Sequence, residues 1–462
     1  MTQDSGFLSV FDSAWERAGA ENGERVLQEV RRNWFDTVTA TAGGVSERCT
    51  RAALQASVAG GSTEALRPAD VALVLGAASH ALDYDDVCML ATCHASAPPI
   101  AALLALLPVL EQQRPDLQMK DLFAAYLLGT ETTLRLGQWL GFRHYALGFH
   151  ATDTLGVVGT AASCAHVLGL PRQQAQTALA IAASSAGGLR ANFGTDTKPL
   201  HVGFAAAAAI RAVLLARAGA NASNDVWGPA GYFHAFNGGV PFTPLPWTPR
   251  TDWAVVSPGF ELKRFPSCYL THRLIAGVTT LRERRSAAER ASPVRIEIEM
   301  PKNGLAPLKH PQPATGLQAK FSGHYCAAAA WVDGKVELAS FADAAIPRAG
   351  VQAQMQRTTL TERTTDGESL DTAPVQVTLR GEGWSDSITV DWAPGSAADP
   401  MTREQQRAKW RDCTSHSGME TDDAVVLGLL DAPLQAPAFE LLRPLRQSLL
   451  RAIETTGQRD HR

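Results

Sequence analysis

Gly148-Phe149-His150-Ala151-Thr152-Asp153-Thr154-Leu155-Gly156 opens a stretch that continues as VVGTAASCAHVLGLPRQQAQTALAIAASSA to Ala186. Its reading decides the fold. Thr154 to Leu168 predicts one helix, Gly169-Leu170-Pro171 a break, and Arg172 to Ala186 a second helix. A glycine accepts the positive φ of a helix C-terminus, and a proline suits the first turn of the next helix, where its missing N–H costs nothing. Ala, Gly, Ser and Thr crowd both segments, so their backbones can approach closely in a buried bundle. The same texture extends outward. Arg67-Pro68-Ala69-Asp70 opens a helix to His80, with an acid facing the N-terminal dipole, and Ala205 to Ala218 reads as another. Up to about Gly239 the sequence is helix after helix.

Past about Pro266 the period changes. Val294 to Met300 alternates apolar and polar residues, as a half-buried strand does. Val375 to Leu379 and Ser387 to Trp392 flank Gly381-Glu382-Gly383 and read as a hairpin. Asp422 to Ile453 returns to helical spacing. The expected architecture is mainly α: a large all-helical domain formed by residues 1–265 plus 401–462, with a smaller α+β domain inserted at 266–400. At 462 residues the chain is too long for one ordinary core, which agrees with two domains.

Hydrophobic residues make up 45%, charged residues 19%, and the net charge is -4, so bulk electrostatics favour neither nucleic acid nor an anionic membrane. Any attraction for an anion must come from a local pocket. The N-terminus lacks the pattern of a signal peptide, and apolar segments such as 100–110 are too short to span a bilayer. The seven cysteines show no framework or metal-binding spacing, which suits reduced thiols in a cytoplasm and predicts neither metal nor cofactor.

Five segments carry chemistry. His80-Ala81-Leu82-Asp83-Tyr84-Asp85-Asp86, followed by Thr92-Cys93-His94, concentrates carboxylates beside histidines. One acid there can orient a histidine or move a proton; read alone, the run is an exposed acidic turn before it is a catalytic one, and such a cluster can also bind magnesium. Tyr145 to Thr154 places His150 and hydroxyls at a helix start, where free amides attract a carboxylate or where the same side chains merely cap. Arg190 to His201 lies between apolar helices and is dense in donors, Lys198 among them. Lys263-Arg264-Phe265-Pro266-Ser267-Cys268-Tyr269-Leu270-Thr271-His272 sets two cations before Ser, Cys, Thr and His. The fifth runs from Thr315 to Cys326 and includes Tyr325.

In this order and at these intervals, HALDYDD, GFHATDTLGVVGTAA, NFGTDTKPLHVG, KRFPSCYLTH and TGLQAKFSGHYC resemble the signature blocks of the MmgE/PrpD family. That family includes 2-methylcitrate dehydratase, cis-aconitate decarboxylase and iminodisuccinate epimerase. The resemblance covers roughly residues 35 to 335. It implies a helical domain with an inserted α+β lid, a homodimer, and an active site lined by Asp83, His94, His150, Lys198 and Tyr325. Cys268 falls where the decarboxylases carry a histidine, Val87 where many members carry threonine, and Asp196 where methionine is common.

The expected activity is cofactor-independent acid–base chemistry at the carbon next to a carboxylate of a small di- or tricarboxylate. A dehydratase-like lyase is the first reading; an epimerase, or a carboxylate-binding protein without catalysis, are the alternatives. His150 is expected as the acid–base group, helped by an imidazole pKa near about 6.5. Asp83 is expected to orient a histidine, and Tyr145 or Tyr325 to protonate the leaving group. Lys198 is expected as a catalytic cation that holds the charge built in the reaction, and His94, Thr154, Arg264, Cys268 and His272 are expected to bind the substrate.

Overall fold

The computed structural model describes residues 6–20, 22–58, 66–240, 252–365, 370 and 372–459. The chain forms two compact units. The first comprises Met1–Ala81, Asp85–Phe260 and Cys413–Arg462; the second comprises Leu82–Tyr84 and Glu261–Asp412.

The first unit is helical. Its main elements are α1 (Phe7–Ala18), α2 (Glu24–Gly44), α3 (Arg48–Ser57), α4 (Pro68–His80), α5 (Ala97–Gln113) and α6 (Met119–Ala146). These are followed by the single turn α7 (Ala151–Thr154), then α8 (Gly156–Val167), α9 (Arg172–Ala183) and α10 (Thr197–Arg217). The chain's last helix, Ala438–Arg459, also belongs to this unit. The pair that opened the sequence reading is α8 and α9. Gly169 takes φ +67° between them, and Pro171 stands at the N-cap of α9, one position earlier than expected.

Small residues set the helix spacing. A Cβ built on Gly76 of α4 would lie 2.7 Å from the Cα of Gly203 in α10, and one built on Gly203 would lie 2.3 Å from the Leu73 carbonyl oxygen. A Cβ on Gly159 of α8 would meet the Gly129 carbonyl of α6 at 2.4 Å. No larger side chain fits these crossings. The α4–α10 crossing also fixes the chemistry: Gly76 lies one turn before His80, and Gly203 just over one turn after Lys198.

Helix α10 departs from the sequence reading. It begins at Thr197 rather than near Ala205, because Pro199 lies in its first turn, where proline is tolerated. Lys198 and His201 therefore ride on a helix and not on a loop. At 21 residues α10 is also long and apolar enough to cross a membrane; 67% of its apolar window is buried inside the protein, as in a core helix.

The second unit contains a four-stranded sheet of order β2-β1-β3-β4, built from β1 (Arg295–Met300), β2 (Thr358–Glu362), β3 (Val375–Gly381) and β4 (Trp384–Val390). Strand β1 runs parallel to β2 and antiparallel to β3. Ile296 and Ile298 pair with Leu379 and Val377, and all four are buried on one face. Helix His272–Glu283 covers that face so closely that a Cβ on Gly277 would lie 2.6 Å from Val377. The hairpin and β1 lie where the alternation placed them. The edge strand β2 escaped the reading because Thr-Thr-Leu-Thr-Glu carries a single large apolar residue.

Candidate active site

Helix α4 ends at His80, and the turn that follows returns Asp85 to it. Both Asp85 oxygens lie 2.9 Å from His80 Nδ1. An ionised carboxylate only accepts, so His80 carries its proton on Nδ1 and presents a lone pair at Nε2. Lys198 Nζ lies 2.8 Å from that Nε2 and donates to it. Asp85, His80 and Lys198 thus form a buried chain of two hydrogen bonds. The immediate partner of the lysine is a neutral ring, and the carboxylate is one residue further back. The hydrogen bond to His80 Nε2 aims the lysine.

His94 joins from the other side. Cys88 and Cys93 exchange backbone hydrogen bonds of 2.8 and 3.2 Å, closing a tight turn that carries the chain back toward Asp85. His94 Nδ1 then lies 3.2 Å from Asp85 Oδ2, and the His80 and His94 rings are 4.3 Å apart. Behind this group Asp86 is bonded to the Ser96 hydroxyl, which lies 2.7 Å from the Tyr126 hydroxyl.

His150 approaches at the start of α7, its ring stacked 5.7 Å from that of His80. Its Nδ1 lies 2.9 Å from Nδ1 of His201, one turn beyond Lys198 on α10. Phe193 packs edge-on against the His150 ring at 5.0 Å. Asp85, His80, His94, His150, Lys198 and His201 are all buried, His94 being the most exposed at 9%.

Burial governs the protonation of this cluster. It pushes His80 down to about 3, with Lys198 and His94 adding to the fall against the opposing pull of Asp85. It pushes His201 to about 4, again aided by Lys198. His150 lies well below the ordinary histidine value, first through burial and then through His80, Lys198, His201 and His94. Burial opposes ionisation of Asp85, but His80 and His94 outweigh it and hold the carboxyl well below its usual range. Asp86, buried and facing Asp85 and Asp36, is raised to about 8. At neutral pH the cluster therefore holds an ionised Asp85, a neutral Asp86 and neutral His80, His150 and His201. The expectation of a His150 near its solution pKa is corrected by this burial: at rest it accepts a proton.

Asp85, His80 and His94 present donor atoms within 4.8 Å of one another, close enough for a metal ion. Both Asp85 oxygens face the His80 Nδ1–H, the arrangement of a hydrogen-bonded group.

A second polar group lies within the other unit. Asp83 has φ +53°, a conformation a non-glycine residue keeps only when its surroundings enforce it. The enforcement is visible: Lys320 donates to the Leu82 carbonyl, Lys263 to the Asp83 carbonyl at 2.8 Å, and Lys409 to the Tyr84 carbonyl at 2.7 Å. Three successive carbonyls are held by three buried lysines. Lys263 Nζ also lies 3.1 Å from the Asp83 carboxylate.

The MmgE/PrpD N-terminal domain matches residues 19–245, and the MmgE/PrpD C-terminal domain matches residues 265–429. The chain belongs to the MmgE/PrpD family. Among curated MmgE/PrpD relatives, the human cis-aconitate decarboxylase is 29% identical over 84% of this chain and 83% of its own length. The mouse cis-aconitate decarboxylase is 29% identical over 71% and 68%, and that of Aspergillus terreus 24% identical over 80% of each chain. The MmgE/PrpD assignment and these relatives make the chain a carboxylate-acting, lyase-type enzyme.

Of the residues given a role in the sequence, His94, His150 and Lys198 come together in the first unit, and His80, Asp85 and His201, which lie in the same segments but were given no role, join them. Asp83 pairs with Lys263, so the orienting of a histidine expected of Asp83 is performed by Asp85. The Thr154 hydroxyl lies 2.7 Å from His144 Nε2, while His144 Nδ1 lies 3.1 Å from the Phe236 carbonyl, so Thr154 acts as a local clasp. The backbone amides of Thr154 and Leu155 donate to the His150 and Ala151 carbonyls. Tyr145 supports the Arg190 guanidinium, 3.7 Å over its ring. Asp196 pairs with Arg48 at 2.5 Å rather than with Lys198.

In the second unit, the Arg264 side chain lies 5.8 Å from the Phe265 ring centroid, and its carbonyl accepts from Tyr84. Cys268 is half-buried and its amide donates to the Lys320 carbonyl at 2.9 Å. His272 is fully buried between the rings of Phe265 and Tyr269 and held near 3, first by burial and then by Lys263. Tyr325 is buried with its hydroxyl on the Ser340 carbonyl, and burial raises it to about 12. A phenol so engaged is a reluctant acid, which corrects the expectation that Tyr325 protonates a leaving group.

Proposed function

We propose that the chain is a dehydratase-like lyase that removes water from a small hydroxy di- or tricarboxylate. The observation that carries this reading is the pairing, in one buried cluster, of a neutral base, His150, with a lysine aimed through Asp85 and His80. Elimination of water needs both. His150 takes the proton from the carbon next to a carboxylate as the C=C bond forms and the C–O bond breaks. Lys198 donates a proton to the departing hydroxide, which leaves as water. As the C–H bond breaks, the negative charge that builds on the substrate carboxyl group is held by Lys198 while it is still an ammonium, in surroundings where burial strengthens electrostatics; only then does its proton pass to the departing hydroxide. Positioned acid–base catalysis of this kind contributes about 10²–10⁴-fold.

Decarboxylation is the second reading, favoured by the names of the relatives. There Lys198 delivers a proton to the carbon from which CO₂ departs. Cys268, standing where the resemblance places a histidine in the decarboxylases, speaks against decarboxylation. The test is an assay of the purified enzyme on a panel of hydroxy acids and unsaturated tricarboxylates, following both alkene absorbance and CO₂. New absorbance without CO₂ supports dehydration, and CO₂ release supports decarboxylation. Solvent deuterium incorporation with neither product marks an epimerase, and binding without any exchange marks a carboxylate-binding protein.

A further inference from the structure

We infer that His201 is a positioning residue that sets the tautomer of His150 and thereby makes the opposite nitrogen of that ring the base. The inference rests on His150 being the base in the function proposed above. The two rings meet Nδ1 to Nδ1 at 2.9 Å, and only one proton fits between them. If His201 carries it, His150 must hold its own proton on Nε2 and has no outward lone pair. If His150 carries it, His201 accepts and His150 Nε2 is open to take a proton from carbon.

Only the second arrangement leaves His150 able to act as the base, so the proposed function requires it. His201 lies one turn from Lys198 on α10, so a positive charge on His201 is disfavoured by that lysine as well as by burial. After burial, the largest influences on His150 are His80, Lys198, His201 and His94, each of which disfavours its protonation. When His150 takes a proton, the resulting imidazolium keeps its Nδ1–H on the His201 lone pair. This is the role an aspartate plays behind a catalytic histidine, performed here by a neutral acceptor. A neutral acceptor leaves the resting pKa of His150 low, whereas a carboxylate would raise it.

The test uses the full-length protein with ¹⁵N-labelled histidines, the His150 signals being assigned by their loss in His150→Gln. His201→Asn keeps an acceptor near the Nδ1 position but cannot titrate; His201→Leu removes it. The expected result is an Nδ1–H tautomer for His150 in the wild type and in His201→Asn. In His201→Leu that tautomer is lost, and kcat falls roughly 10–100-fold with KM little changed. His201→Asn recovers most of the rate. A wild-type His150 protonated on Nε2, or a His201→Leu enzyme with wild-type tautomer and kcat, overturns the inference. The spectrum reads the tautomer even if no carboxylate is turned over, so failure of the functional reading is told apart from failure of this one.

Discussion

Lys198 Nζ lies 2.8 Å from His80 Nε2, and the carboxylate that fixes the far side of that imidazole is Asp85. This places a proton donor on α10 under the control of the turn after α4. Asp85→Asn leaves the volume unchanged but lets the amide donate toward Nδ1, which reverses the His80 tautomer and directs an N–H at Lys198. Turnover is expected to fall at least about a hundredfold, since the matching change behind a catalytic histidine costs up to about 10⁴. Steady-state kinetics, with circular dichroism as a control for folding, check this; a rate within about threefold of wild type contradicts the relay.

Stability should peak near pH 6.5. His80, His144, His201 and His272 have folded pKa values of about 3 to 4 against about 6.5 unfolded. Depressed values give stability that is complete above the unfolded pKa and is lost as pH falls toward the folded one. Asp86 and Asp153 are raised by burial to about 8 and about 7, so their contribution is complete below about 3.8 and lost as pH rises through those values. Below about 6.5 the four histidines outnumber the two acids; above it only the acids change. Melting temperature measured across pH 4 to 9 checks the position of the maximum.

Asp86→Asn separates the two limbs. The amide keeps a group within reach of the Ser96 hydroxyl and never ionises. Most of the stability decline between about pH 6.5 and 8 should disappear, while the acid limb stays where it was. An unchanged alkaline limb in the same melting series would show that Asp86 is ionised in the folded protein at neutral pH.

Gly203→Ala tests the helix crossing that places Lys198. Its Cβ would meet the Leu73 carbonyl of α4 at 2.3 Å, and neither backbone can yield without moving His80 relative to Lys198. Overpacking of this kind costs about 1–3 kcal/mol. Urea unfolding should show that loss, and turnover should fall with it. By contrast, Gly169→Ala meets nothing within 4 Å and should affect stability only through its positive φ.

Much of this molecule was legible in the sequence, for reasons that can be named. The Gly169-Leu170-Pro171 break and the alternation of Val294 to Met300 are local signals, and both lie where they were read. In the sequence, α10 reads as starting at Ala205, with Lys198 left in the donor-rich stretch between helices, whereas Pro199 fits inside the helix because it occupies the first turn. His201 shared that segment, and nothing in it announced a partner 51 positions earlier. Choosing among Asp83, Asp85 and Asp86 was beyond local reasoning. The backbone between them turns through the left-handed Asp83, which three distant lysines enforce, and so sends neighbouring carboxylates to different partners.

The most direct test is the structure of the enzyme with its carboxylate substrate or a product bound. A substrate carboxyl oxygen is expected within about 3.2 Å of Lys198 Nζ, with the reacting carbon facing His150 Nε2. A carboxylate held elsewhere, with Lys198 still bonded to His80 and no ligand atom near His150, would contradict the account.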